Sequence, residues 1–228
     1  MRQPNAQYNV ARPGSLPERI ATFQRRRMYR RFLERCAPRP EESLLDVGVT
    51  SDSTYAASNY LEAWTPHPER ITAVGLDDAG FLEQRYPGLR FVRADGRALP
   101  FADSSFDVVH SSAVIEHVGG AAEQGRFLAE LYRVARRALF LTTPNRWFPV
   151  EFHTVLPLLH WLPKPAFRRL LLLAGKPFFA DERNLNLLTA AELRRLCDRI
   201  GARGWRVEHQ TLAGWPANLL LSIDKTAA

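Results

Sequence analysis

The stretch Leu44-Leu-Asp-Val-Gly-Val-Thr-Ser-Asp52 decides the fold. A short apolar run ends in a glycine and is followed by hydroxyl and acidic residues, which reads as a β-strand turning into a loop that opens a helix. Gly48 permits a tight turn and a close approach of backbone to a ligand. In open α/β sheets, ligands bind outside the carboxyl ends of the strands, where the strand order reverses. A helix start beyond such a loop offers N–H groups to a carboxylate. No Gly-x-x-x-x-Gly-Lys run is present, which excludes a P-loop nucleotide site.

Outward from this loop, strands and helices alternate. Strands are expected at 43–47, 71–76, 89–94, 106–111 and 138–142, with helices at 53–64 and 121–137. The strands are apolar on both faces, the pattern of a parallel sheet covered on both sides. Ser15-Leu-Pro-Glu18 and Thr189-Ala-Ala-Glu192 are capping boxes. The first opens a helix running to about Cys36, burying Ile20, Phe23, Phe32 and Leu33. The second opens a helix that ends at Gly201. Segments 205–211 and 218–223 form a final antiparallel pair. The expected architecture is one α/β domain over 15–228, preceded by a flexible arm at 1–14. Residues 145–186, rich in Trp, Phe, Leu and Pro, interrupt it as an inserted helical lid, longer than a connection needs.

The 228 residues suffice for one domain with a real core, and the formal charge is +7. All but Lys164, Lys176 and Lys225 of the 31 basic residues are arginine. A solvated basic surface explains this better than a nucleic-acid partner. Cys36 and Cys197 have no metal-type spacing and fit a reduced, cytoplasmic protein. The polar start, Met1 to Pro17, lacks the apolar stretch of a secretory signal, and no apolar run spans a bilayer.

Four blocks then occur in order: Asp46-x-Gly48; Ile71-Thr-Ala-Val-Gly-Leu-Asp77; Ala94-Asp-Gly-Arg-Ala-Leu-Pro-Phe101; and Phe106-Asp-Val-Val-His-Ser-Ser-Ala-Val-Ile-Glu-His-Val118. Together they resemble the class I S-adenosylmethionine-dependent methyltransferases, nearest to the ubiquinone O-methyltransferase branch, which Thr142–Arg146 and Leu187–Leu193 also resemble. The resemblance implies a Rossmann-like, mostly parallel seven-stranded sheet and S-adenosylmethionine as cofactor. It assigns donor binding to Asp46, Gly48, Thr50, Ser51, Asp77, Ala94, Asp95, Gly96, Ser111 and Ser112.

Two departures stand out. The family's second and third loop glycines are Thr50 and Asp52 here; Thr50 and Ser51 offer hydroxyls instead, and Asp52 either meets the methionine ammonium or caps the following helix. Gly75 stands where an acid is expected for the ribose hydroxyls. Side chains two apart on a strand face the same way, so Asp77 rather than Asp78 is expected to take that role.

Glu116 and His117 follow the fourth strand. His117 is the candidate base for an acceptor hydroxyl, with Glu116 beside it; a helix-start hydrogen bond is the equal competitor. Some ubiquinone O-methyltransferases carry a Glu-x-x-Glu-His metal cluster. The first acid is Ala113 here, so no metal is expected. Trp147, Phe152, His153 and Trp161 are the candidate acceptor-pocket residues.

The acceptor is expected to be a small molecule, lipid-like or a sugar, methylated on oxygen or nitrogen. The Asn/Asp-Pro-Pro-aromatic motif of many nucleobase and protein methylators is absent, so nucleic acid is not the expected partner. An RNA methylator using Arg25–Arg31, or an inactive methyltransferase-like partner subunit, are the alternatives. The apolar insertion also fits a homodimer interface or, with Lys164, Arg168, Arg169 and Lys176 flanking its leucine run, weak peripheral membrane contact.

Overall fold

The computed structural model describes residues 14–52 and 57–226. Residues 1–13 of the expected arm and 53–56 of the expected second helix lie outside them.

Seven strands form one sheet: β1 (Leu44–Val47), β2 (Ile71–Gly75), β3 (Arg90–Arg93), β4 (Phe106–Ser112), β5 (Ala135–Pro144), β6 (Trp205–Leu212) and β7 (Trp215–Asp224). Their order is β3-β2-β1-β4-β5-β7-β6, with β7 antiparallel to both its neighbours and the remaining pairs parallel. The order reverses between β1 and β4, so the crevice lies beyond Val47 and Ser112. Ala213 and Gly214, both at positive φ, make the tight turn that returns β7 along β6.

Strand alternation divides the core. Leu45, Val47, Val109, Leu139 and Leu141 pack beneath α4 (Ala121–Val134) and α7 (Ala190–Arg199). Leu44, Ala73, Val108, Ala138 and Phe140 pack beneath α1 (Leu16–Cys36), α2 (Tyr60–Trp64) and α3 (Phe81–Arg85). The Thr189–Glu192 capping box forms as expected, and Ser15 caps α1.

Three expectations are corrected. The buried stripe of α1 is Gln24, Met28, Phe32 and Cys36, a single four-residue stride, whereas Phe23 and Leu33 lie exposed and Ile20 is half-buried. Gln24 belongs inside because it is satisfied: its side chain donates to Thr211 O, and Gln210 donates to its carbonyl. The helix expected to reach 137 ends at Val134, because Ala135 already pairs with Phe106 in β5. The described part of the helix expected at 53–64 is helical only from Tyr60.

Residues 145–186 contain α5 (Lys164–Leu173) and α6 (Pro177–Ala180). Phe167, Leu171, Phe179, Ala180 and Leu185 of this segment, with Leu187 just beyond it, form a small core separate from the two sheet faces. Among the described residues no helix is long and apolar enough to cross a membrane.

Candidate active site

A cavity of about 480 Å³ opens beyond the carboxyl ends of β1, β2, β3 and β4. Gly48, Val49 and Thr50 form one wall, Gly75 and Leu76 a second, Ala94–Arg97 a third, and Ser112–Val114 with His117 a fourth. Gly48 has φ +103°, and a Cβ there would lie 2.1 Å from Val114 Cγ2. The loop therefore requires glycine for both conformation and space. The amides of Gly48 and Val49 both donate to Val74 O, which pins the loop against β2.

The expected donor-binding residues divide by strand parity. Gly48, Thr50, Ala94, Asp95, Gly96 and Ser112 line the cavity. Asp46 and Ser111 lie behind it. Asp46 shares a face with Leu44 and is in register with His110, so its Oδ1 meets His110 Nδ1 at 2.7 Å. Burial lowers the His110 pKa to about 4 and raises that of Asp46 to about 7, so the ring is neutral and the two groups share one proton-bearing contact. Tyr60 Oη lies 2.8 Å from His110 Nε2 and completes the hydrogen-bonded row. Glu62 is buried beside this pair, and burial together with Asp46 raises its pKa well above the carboxylate range. Ser111, on the opposite face, donates to Val47 O at 2.7 Å and fixes the end of β1. Ser51 is half-buried beside the loop and does not line the cavity.

Asp77 lies two residues beyond the end of β2, where strand alternation no longer sets its direction; the cavity wall there is Gly75 and Leu76. A side chain at 75 would meet Val49 O at 2.9 Å, so no acid fits at that position. Asp78 accepts from Gly80 N as a turn residue.

Asp95 accepts from Arg97 Nε and from the guanidinium nitrogen at 2.6 Å, and this pairing holds its carboxyl below the usual range. The cavity is lined by both polar and apolar groups, with Arg25, Arg97 and Arg183 on it beside Asp95, the single acid among the described lining residues. Asp95 and Thr50 present oxygens, Ser58 Oγ is buried on the wall without a hydrogen-bond partner, and Ala94, Val118 and Phe127 supply apolar surface.

Glu116, His117 and His153 gather at the fourth wall. His117 follows β4 in a single 3-10 turn, Ile115–His117, and lines the cavity; Glu116 is fully buried behind it. His117 Nδ1 lies 2.7 Å from Asn184 O, and its Nε2 lies 3.1 Å from His153 Nε2. Burial, reinforced by the facing His153, lowers His117 to about 3. Burial works against charging His153, but the hydrogen bond and charge of Glu151 raise it. Burial raises Glu116 to about 7; its Oε2 accepts from Thr143 Oγ1, and its Oε1 has no hydrogen-bond partner.

Of the candidate acceptor residues, His153 alone lines this cavity. Trp147 packs edge-on to Trp161, and Phe152 stacks on Phe148 at 5.1 Å. Arg25, Arg183 and Asn184 also line the cavity and went unassigned in the sequence. Arg25 stood in the sequence only within the Arg25–Arg31 run read as a solvated or RNA-binding face. Arg183 and Asn184 carried none, because only the folding of the insertion returns them to β4.

A family profile described as "Methyltransferase domain" matches residues 45–140. A phthiotriol/phenolphthiotriol dimycocerosates methyltransferase of Mycobacterium tuberculosis is 40% identical over 89 residues, 37% of this chain and 29% of that protein. A probable S-adenosylmethionine-dependent methyltransferase of the same species is 37% identical over 81 residues, 34% of this chain and 28% of that protein. Both matches span less than a third of the relative's own length. Among solved structures, magnesium protoporphyrin IX methyltransferase from Synechocystis with bound SAH is similar at TM-score 0.58 and 13% identity, covering 96% of this chain and 90% of that one. The [4+2]-cyclase SpnF is similar at TM-score 0.61 and 12% identity, covering 96% and 85%. These likenesses show the fold, and the sequence match to the methyltransferase-domain family is confined to residues 45–140. Strand order, cavity and sequence match coincide on the same residues: residues 45–140 match the methyltransferase-domain family, within a fold similar to that of S-adenosylmethionine-dependent methyltransferases.

Proposed function

We propose that the chain transfers the methyl group of S-adenosylmethionine to a hydroxyl of a lipid-like small molecule. One observation carries the choice of acceptor. The segment that brings His153 to the cavity also exposes Trp147, Val150, Phe152, Val155, Leu158 and Leu162. An apolar surface of this kind on a soluble face marks a site for an apolar partner. The relatives named phthiotriol/phenolphthiotriol dimycocerosates methyltransferases support the reading, since that name denotes an ester of a triol.

The bound donor supplies a sulfonium methyl that is already activated. The chain's own residues supply alignment and exclusion of water. The Gly48 loop and Asp95 hold the donor, Ser112 and Ala113 border the reacting end, and His117 and His153 face the incoming acceptor. The test is incubation of the purified chain with labelled donor and a bacterial lipid extract. Label recovered in a methyl ether of a hydroxylated lipid supports the reading. Label confined to RNA, or no transfer with donor binding intact, overturns it.

A further inference from the structure

We propose that Glu116, His117 and His153 bind one divalent transition-metal cation in the wall of the cavity. The observation is geometric. One carboxylate oxygen and two imidazole nitrogens, from two segments of the chain, converge so that all three atoms lie within 4.8 Å of one another. His117 Nε2 is 3.1 Å from His153 Nε2 and 3.8 Å from Glu116 Oε1. A cation roughly 2.1 Å from each donor would set the donors about 3–3.5 Å apart, so small side-chain movements complete the set.

Proton placement shows why a cation fits. Asn184 O only accepts, so His117 Nδ1 carries the hydrogen and its neutral ring points a lone pair along Nε2. Glu151 Oε1 accepts from His153 N at 2.9 Å and lies 2.8 Å from His153 Nδ1, while Thr154 N donates to the other carboxylate oxygen. His153 Nδ1 is therefore also a donor, and its Nε2 is turned toward His117. A proton between the two Nε2 atoms would join the rings but leave buried Glu116 Oε1 without a partner. A cation satisfies all three atoms at once. Metal-bound histidines typically donate their second ring N–H to a carboxylate or a backbone carbonyl, and here one does each. Thr143 Oγ1 orients Glu116 in the same way through Oε2.

Two imidazoles and one carboxylate suit zinc, cobalt(II), iron(II) or manganese(II) better than magnesium or calcium. Both histidines line the cavity beside Ser112 and Ala113, so the remaining coordination positions face the acceptor side. An acceptor hydroxyl placed there would be polarised and its proton made more acidic. Binding of the cation stands apart from the methyl-transfer reading; its use on an acceptor hydroxyl rests on that reading.

The test is titration of the tag-free full chain with cobalt(II), following its visible absorption, and with zinc by calorimetry, alongside S-adenosylmethionine calorimetry on the same preparation. One cation per chain is expected. Glu116→Gln and His153→Ala should each weaken it more than tenfold, and Glu151→Gln about 10–100-fold. Circular dichroism melts establish that each variant is folded, and the wild-type titration needs no variant. No cobalt spectrum from the wild-type chain, or equal affinity in the folded Glu116→Gln and His153→Ala chains, overturns the proposal. Cation binding without methyl transfer to any lipid would overturn the acceptor reading and leave the metal site standing.

Discussion

Arg137 and Glu42 meet side-on across the base of the sheet, with Nε 2.7 Å from Oε1 and a guanidinium nitrogen 2.6 Å from Oε2. The same guanidinium donates to Cys36 O at the end of α1, so one pair joins α1, the entry to β1 and β5. Burial alone would raise the Glu42 carboxyl, but Arg137 and the Arg39 amide together lower it. A carboxylate with a depressed folded pKa contributes stability above its unfolded pKa and loses it as pH falls through the folded one. Glu42→Gln should therefore cost about 3 kcal/mol at pH 7. The wild-type and variant stabilities should converge below roughly pH 4. Urea unfolding across pH checks this; parallel curves at all pH values would contradict it.

Gly48→Ala should abolish donor binding. Its backbone at positive φ costs roughly 1–3 kcal/mol for a residue with a side chain, and the new methyl lands on Val114. A thermal-shift assay should show a lowered melting temperature and no rise on adding S-adenosylmethionine. A normal rise would mean that the loop does not hold the donor.

Asp95→Ala should weaken donor binding by roughly 1.5–3 kcal/mol, the loss typical of a charged hydrogen-bond acceptor, whereas Asp77→Ala should cost less, because Gly75 and Leu76, not Asp77, form the cavity wall there. Asp78→Ala should leave affinity unchanged, because that carboxylate serves the turn to Gly80. Calorimetry decides, and an Asp77 or Asp78 variant that costs as much as the Asp95 variant would place the second-strand acids on the donor after all.

Trp147→Ser with Phe152→Ser should cut turnover of a lipid acceptor at least tenfold and leave donor affinity intact. Both side chains are substantially exposed, 47% and 39%, so folding should survive. If the double variant instead keeps full activity and loses a dimer seen by sedimentation, the surface is an interface between copies of the chain.

Much of the cavity wall was legible in the sequence. Gly48 and its turn, the strand ends and the acid after β3 are local signals, and local signals survive folding. Two kinds of information were not local. Parity decided that Asp46 and Ser111 face opposite layers of the core rather than the ligand, and parity depends on where each strand starts and which helix covers it. The His117–His153 contact joins residues 36 apart, and His153 sits at the start of the insertion, before α5, where no periodic pattern announces its place. His153 could be singled out as polar among apolar neighbours, but its partner could not. The α1 error was of a third kind: Phe23 and Leu33 are apolar but lie off the stripe, and Gln24 takes an interior place through hydrogen bonds that a hydrophobicity count does not see.

The position of His153 has a wider consequence. It lies in the 145–186 insertion, outside the 45–140 stretch shared with the family, yet it faces His117 across the cavity. The pair is thus split between two parts of the chain: His117 belongs to the stretch that matches the family and His153 to the segment beyond it. On the proposed function, replacing one insertion by another would exchange the exposed apolar surface and His153 together while leaving the Gly48 loop and His117 untouched, so the chemistry of the cavity mouth and its surroundings would change in one step rather than by a series of point changes.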